Sequence, residues 1–160
     1  MREQILTFLE KNSKIDLREL AIMLGSSEEV IANEVQKMEK ERIICGYHTL
    51  IDWEKTSADK VTALIEVRVT PQRNNGFDSI AERIYNYPEV QSVYLISGGY
   101  DLMVILEGRT LREVSSFVSN KLSTLDSVIS TATHFILKKY KDYGTILSKK
   151  DKDERMLMTL

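Results

Sequence analysis

The stretch VYLISGGYDLMVIL, residues 93–106, holds two apolar runs parted once, at Ser97-Gly98-Gly99-Tyr100-Asp101. With their flanks the runs extend from Val90 to Ser97 and from Leu102 to Glu107. So short a connection makes them pair as an antiparallel hairpin. The same interruption excludes a membrane span, which needs about 18 unbroken apolar residues. The hairpin is apolar on both sides. Val93 and Leu95 point one way and Tyr94 and Ile96 the other, while Met103 and Ile105 oppose Leu102, Val104 and Leu106. Helices cover one face of such a sheet, and a second copy of the sheet, in a symmetric dimer, is the economical cover for the other.

Outward from the hairpin the period-two signal continues. Val61, Ala63, Ile65, Val67 and Val69 alternate with Thr62, Leu64, Glu66, Arg68 and Thr70, a strand ended by Pro71. Asn74-Asn75-Gly76 reads as a loop, and Phe77, Ile80, Ala81 and Ile84 recur at helical spacing. Downstream, Thr110 and Glu113 form a capping box ahead of a helix carrying Leu111, Val114, Phe117, Val118 and Leu122, and Val128 to Tyr140 is a last strand. The order β-α-β-β-α-β is that of a ferredoxin-like sandwich, with two helices on one face of a four-stranded antiparallel sheet.

The first 54 residues instead keep a helical period. Ile5, Leu6 and Leu9 mark a first helix; Asp16, with Glu19 three positions on, starts a second bearing Leu17, Leu20, Ala21 and Leu24. Gly25 permits a tight turn, and a third helix from Ser26 or Ser27 buries Ile31, Val35 and Met38 and ends at Glu41-Arg42. The expected fold class is α+β: a helical unit over 1–54, a sandwich over 58–147 and a charged tail over 148–160, with the joint near Trp53 to Ser57.

Composition narrows the function classes. Of 160 residues 42% are hydrophobic, enough for a folded core, and 22 Lys and Arg against 24 Asp and Glu leave a charge of −2. No global basic field advertises nucleic acid or membrane, so any such partner is met by a local patch. The lone cysteine, Cys45, reads as buried packing; it forms no internal disulfide, and with no apolar leader after Met1-Arg2-Glu3-Gln4 a reducing cytoplasm is expected. Trp53 reads as a staple between the two halves or under the tail. His48 and His134 stand far apart with no Cys or carboxylate at metal spacing, and there is no Gly-rich phosphate loop or nucleophile elbow. No catalytic residue, cofactor or metal is expected.

A three-helix unit with Ala21, Gly25 and Ile31 at helix-turn-helix spacing, a strand-like exit at Ile43-Ile44-Cys45-Gly46-Tyr47, and a sandwich with Gly-Gly-Tyr-Asp in its central hairpin together resemble the leucine-responsive/asparagine regulator (Lrp/AsnC) family of transcription factors. The resemblance runs from about Arg2 to Leu147. It implies a winged helix-turn-helix that binds double-stranded DNA and a sandwich that dimerises and assembles further, into four or eight chains. It also implies a small effector, commonly an amino acid, held between dimers near the hairpin loop. The DNA contacts would come from Arg18, Ser27, Glu28, Glu29, Ala32, Asn33, Gln36, Lys37 and Lys40. Effector contacts would come from Gly98, Gly99, Tyr100 and Asp101, with Thr131 and Thr133 on the last strand as weaker candidates. The chemistry of the loop agrees: a carboxylate suits a ligand ammonium, and glycine amides suit a ligand carboxylate.

The sequence departs from the family at the DNA-facing helix. That helix starts with Glu28 and Glu29, and Asn33 and Glu34 stand where the family often has two arginines. Residues 1–54 hold seven Lys and Arg against eleven Asp and Glu, a local charge of −4, while the remaining residues carry +2. Two readings stand. Either Arg18, Lys37 and Lys40 make a narrow positive edge while Asn33 or Gln36 reads adenine, or DNA binding is weakened and the chain acts through its sandwich as an effector-binding assembly protein.

Overall fold

A computed structural model describes residues 1–71 and 76–147; the Asn74-Asn75 part of the expected loop and the charged tail lie outside the described residues. The chain divides into two compact units, Met1–Ile51 and Asp52–Leu160.

The first unit is three helices, α1 (Arg2–Lys11), α2 (Leu17–Met23) and α3 (Glu28–Lys40). Asp16 caps α2, its Oδ1 accepting the amides of Arg18 at 2.8 Å and Glu19 at 3.2 Å. Ser27 caps α3 by accepting the Val30 amide. Between them Gly25 takes a left-handed φ of 63°. The Ser26 amide then reaches back to the Ala21 carbonyl and the Gly25 amide to Ile22, the paired bonds that close a helix end. This turn brings Leu20, Ala21, Ile31, Val35 and Met38 together with Ile5 and Leu9 as one core.

The expected strand at Ile43 to Tyr47 is absent, and with it the strand of a wing: the described residues of this unit contain no strand. The cause lies at the end of α3. Arg42 adopts a φ of 60°, and the amides of Ile43 and Ile44 both turn back to the Met38 carbonyl, at 2.9 and 3.1 Å. Their donors are therefore spent on the helix terminus. Cys45 is exposed rather than buried, and its thiol donates to the Arg42 carbonyl at 3.0 Å.

The second unit holds β1 (Val61–Val69), α4 (Asp78–Tyr85), β2 (Val90–Leu95), β3 (Leu102–Gly108), α5 (Leu111–Phe117) and β4 (Val128–Phe135). The sheet order is β2-β3-β1-β4 and each pairing is antiparallel. Ala63, Ile65, Val67, Leu102, Val104 and Leu106 pack under Ile80 and Ile84 of α4 and Val114 and Phe117 of α5. Thr110 Oγ1 accepts the Glu113 amide at 3.1 Å, while Glu113 Oε2 accepts the Arg109 amide at 2.7 Å, a reciprocal cap that starts α5.

Two expected outlines change. The helix after Thr110 does not run on regularly to Leu122. It widens after Phe117 into a π turn, Val118–Leu122, where the Ser123 amide reaches the Val118 carbonyl at 2.8 Å. The last strand stops at Phe135, short of Tyr140, and a small hairpin follows, β5 (Lys141–Asp142) and β6 (Thr145–Ile146), turning on Tyr143 and Gly144 with φ of 42° and 78°. Trp53 lies in a short 3-10 turn, Trp53–Lys55, with the Lys60 ammonium 4.4 Å from its ring centroid.

The sheet face away from the helices carries Leu64, Met103 and Ile105, each half-buried, beside the exposed Tyr94 and Ile136. On it His134 Nε2 stands 3.3 Å from Glu66 Oε1.

Candidate functional site

The two sets of candidate residues lie in different units. In the helical unit, Arg18, Ser27, Glu28, Glu29, Asn33, Gln36, Lys37 and Lys40 are exposed and Ala32 is half-buried. Ile31, Val35 and Met38 turn inward, so most of the outer face of α3 is exposed. Ala32, Asn33 and Gln36 border a cleft of about 580 Å³, whose far wall includes Ser13 and Tyr47. The Tyr47 hydroxyl donates to Glu39 Oε1 at 2.8 Å; burial and that bond push its pKa up.

Electrostatics on this face are set by a network that sequence patterning did not reveal. Glu34 accepts from Lys37 Nζ at 2.8 Å and from Arg2 Nε at 2.8 Å, and Arg2 also grips Glu41 through both terminal nitrogens at 2.7 and 3.1 Å. Lys37 first, then Arg2, holds the Glu34 carboxyl below its ordinary pKa, and Arg2 does the same for Glu41. Lys37 is already committed to Glu34, whereas Arg18 and Lys40 make no ion pair among the described residues. No local signal announces a contact between residues 2 and 34.

In the sandwich, Ile96 to Asp101 form the loop between β2 and β3. Gly98 and Gly99 are exposed, and neither has a left-handed φ. A Cβ at Gly98 would only touch Ile96 at 3.6 Å, and one at Gly99 would meet nothing within 4 Å. Turn geometry therefore does not account for either glycine. Tyr100 is half-buried and its hydroxyl donates to Met103 Sδ at 3.8 Å. Asp101 is more than a turn former: its Oδ2 accepts the Val69 amide at 2.8 Å, and its own amide donates to the Val67 carbonyl at 3.1 Å. The loop is thus tied to the end of β1, beside a register shift between Arg68 and Val69.

Thr131 and Thr133 are half-buried opposite Val67 and Ile65, on the face under the helices. Leu102 and Thr131 flank Val67 on opposite sides, so Thr131 lies about two strand spacings, roughly 10 Å, from the start of β3. Thr133 is two residues further along. The structure brings Gly98 to Asp101 together and leaves the threonines to one side. Among the described residues no group of three or more His, Cys, Asp and Glu could hold a metal ion. No helix there is long and apolar enough to cross a membrane.

Comparison with known proteins follows this division. A family profile described as the Lrp/AsnC ligand binding domain matches residues 62–146. The helix-turn-helix-type transcriptional regulator YugG of Bacillus subtilis (strain 168) is 49% identical over 157 residues, 98% of this chain and 95% of its own. The solved structure of AsnC from Escherichia coli aligns with a TM-score of 0.65 at 25% identity, covering 86% of this chain and 91% of that one. The Neisseria meningitidis transcriptional regulator NMB0573, solved as a complex with L-Met, aligns with a TM-score of 0.70 at 22% identity over 88% and 90% of the two chains.

Proposed function

The chain belongs to the Lrp/AsnC family of transcriptional regulators, and from that premise we propose a homodimer that binds double-stranded DNA through α2 and α3 and answers to an amino acid at the loop from Gly98 to Asp101. The observation that carries the DNA reading is the α2–Gly25–α3 turn, which leaves the outer face of α3 exposed from Ser27 to Lys40. In that docking the first turn of α3 enters the major groove, Asn33 or Gln36 pairs with adenine, and Arg18 and Lys40 meet phosphates. The protein acts in the cytoplasm and carries no catalysis.

The amino-acid reading rests on the glycines. A Gly99 that neither the turn nor its neighbours require leaves backbone amides open to a close-lying carboxylate, beside the Asp101 carboxylate for an ammonium. The Neisseria meningitidis relative was solved with a ligand of this class. Mobility-shift titration on the promoter region of the protein's own gene, with and without each amino acid, is the test. Shifts that an amino acid strengthens or weakens support the proposal, and no shift at low salt refutes it.

One observation favours a second reading. Glu34 neutralises Lys37 beside the acidic start at Glu28 and Glu29, and with four Glu against two Lys α3 carries a net charge of −2. On that reading the chain is an effector-binding assembly protein with weakened DNA binding. Effector-dependent assembly with no DNA shift at low salt would favour it.

A further inference from the structure

The end of β3 far from the hairpin borders a second cleft, of about 580 Å³, between the Glu89 segment leading into β2 and the turn after Phe117. Leu106 and Phe117 give it apolar lining and Ser116, Asn120 and Arg112 give it polar groups, while its other two carboxylates are already engaged, Glu107 with Lys60 at 2.9 Å and Glu113 with the Arg109 amide at 2.7 Å. Asn120 and Lys121 belong to the π turn Val118–Leu122, a rare geometry whose single turns concentrate at functional sites. Arg112 is exposed and makes no ion pair among the described residues. Lys121 Nζ lies 2.6 Å from Glu89 Oε1, and 5.3 and 5.4 Å from the ring centroids of Tyr87 and Phe117. The other oxygen, Glu89 Oε2, is buried and meets no donor among the described residues. Oε2 is thus the acceptor on this ion pair that a ligand donor could add to.

We propose that this cleft is a second small-molecule site, for a compact zwitterion of the α-amino acid class, with the Glu89–Lys121 ion pair as its lock. Charge balance selects the class. A plain cation on Glu89 would strip Lys121 of its partner, and a plain anion on Lys121 would strip Glu89 of its own. A zwitterion turns one carboxylate–ammonium contact into two. Its ammonium takes Glu89, including Oε2, and its carboxylate takes the displaced Lys121 with Arg112, while its side chain rests on Leu106 and Phe117. The volume lies within the range of small-ligand pockets. Leu106 is four residues, about 13 Å, along β3 from Leu102 at the hairpin end, so the two sites do not overlap.

The test is a methyl NMR titration of the full chain with each of the twenty L-amino acids, and with methylammonium and acetate as half-ligand probes. At least one amino acid should shift the Leu106 methyls saturably, where neither half-ligand does at the same concentration. Arg112→Ala and Lys121→Met should each raise the midpoint of that shift at least tenfold. Arg112→Ala, at an exposed position, should leave the melting temperature unchanged. The methyls of Ile96 and Leu102 report the hairpin loop, so movement at Leu106 with silence there supports this site and counts against the hairpin reading alone. Silence of Leu106 towards all twenty amino acids overturns the proposal, as does a half-ligand that matches the amino acid or a pair of variants that bind as tightly as the wild type.

Discussion

Asp101 Oδ2 accepts the part-buried Val69 amide at 2.8 Å, and this separates two substitutions. Asp101→Ala leaves that donor without an acceptor and should cost about 1–3 kcal/mol in thermal or denaturant unfolding. Asp101→Asn keeps an oxygen in place and should cost much less, yet it removes the charge offered to a ligand ammonium and should weaken amino-acid binding by about 1.5–3 kcal/mol in calorimetry. An alanine variant as stable as the wild type would show the Val69 bond to be unimportant. Gly99 makes the converse case. With open space for a Cβ and no left-handed φ, Gly99→Ala should leave stability within about 0.5 kcal/mol. If a ligand lies against that backbone, the same variant should lose amino-acid affinity at least about tenfold, near 1.4 kcal/mol. The hairpin was legible in the sequence because Gly-Gly-Tyr-Asp breaks two apolar runs. The Asp101 bond was not, because it joins residues 32 apart and leaves no local periodicity.

At the scale of elements, β1, α2 and α3 were readable because strict alternation and helical spacing each leave one apolar face, and Asp16 and Ser27 cap where they stand. The absent strand after α3 and the π turn after Phe117 were not readable. Both depend on which carbonyl a backbone amide chooses, Met38 for Ile43 and Ile44 and Val118 for Ser123, and the side chains do not encode that choice. The ion network across α1 and α3 has its own consequences. Glu34→Gln should release Lys37 to a phosphate, so DNA affinity at low salt should rise and the slope of log K against log salt should steepen by about one unit. An unchanged slope in fluorescence-anisotropy titrations would mean that Lys37 does not approach DNA. Acid acts on the same pairs. Glu34 and Glu41 are held below the ordinary value of 4.5 in the folded chain, so an unfolded chain binds more protons between the folded pKa and that value. Their stabilising contribution is therefore complete above about pH 4.5 and falls away as pH drops through the folded pKa. Denaturant midpoints of the intact protein should decline on acidification through that window, and less so in Arg2→Met, where the partner shared by both carboxylates is gone.

At the scale of the whole molecule, the open sheet face poses the remaining question of what covers it. Leu64 lies between Ile105 on one neighbouring strand and His134 on the other, and Met103 and Tyr94 continue the same surface. These side chains point away from the helices, so none of them belongs to the buried core beneath α4 and α5. A second sheet packed against this face would bury Leu64, Met103 and Ile105 and enclose the Glu66–His134 pair, which gives a self-complementary, two-fold interface. Sedimentation at micromolar concentration should accordingly find a dimer or a larger assembly. Leu64→Glu places a charge at the centre of the face without touching the helix-covered core. It forfeits the roughly 1.5–3 kcal/mol of one buried leucine in each subunit and adds an unpaired carboxylate, so dimer affinity should weaken well beyond about tenfold. The variant should sediment as a folded 18.4 kDa monomer with an unaltered circular dichroism spectrum. A wild-type monomer would overturn the sheet-to-sheet cover. A variant that stays dimeric would move the interface to another surface of the sandwich.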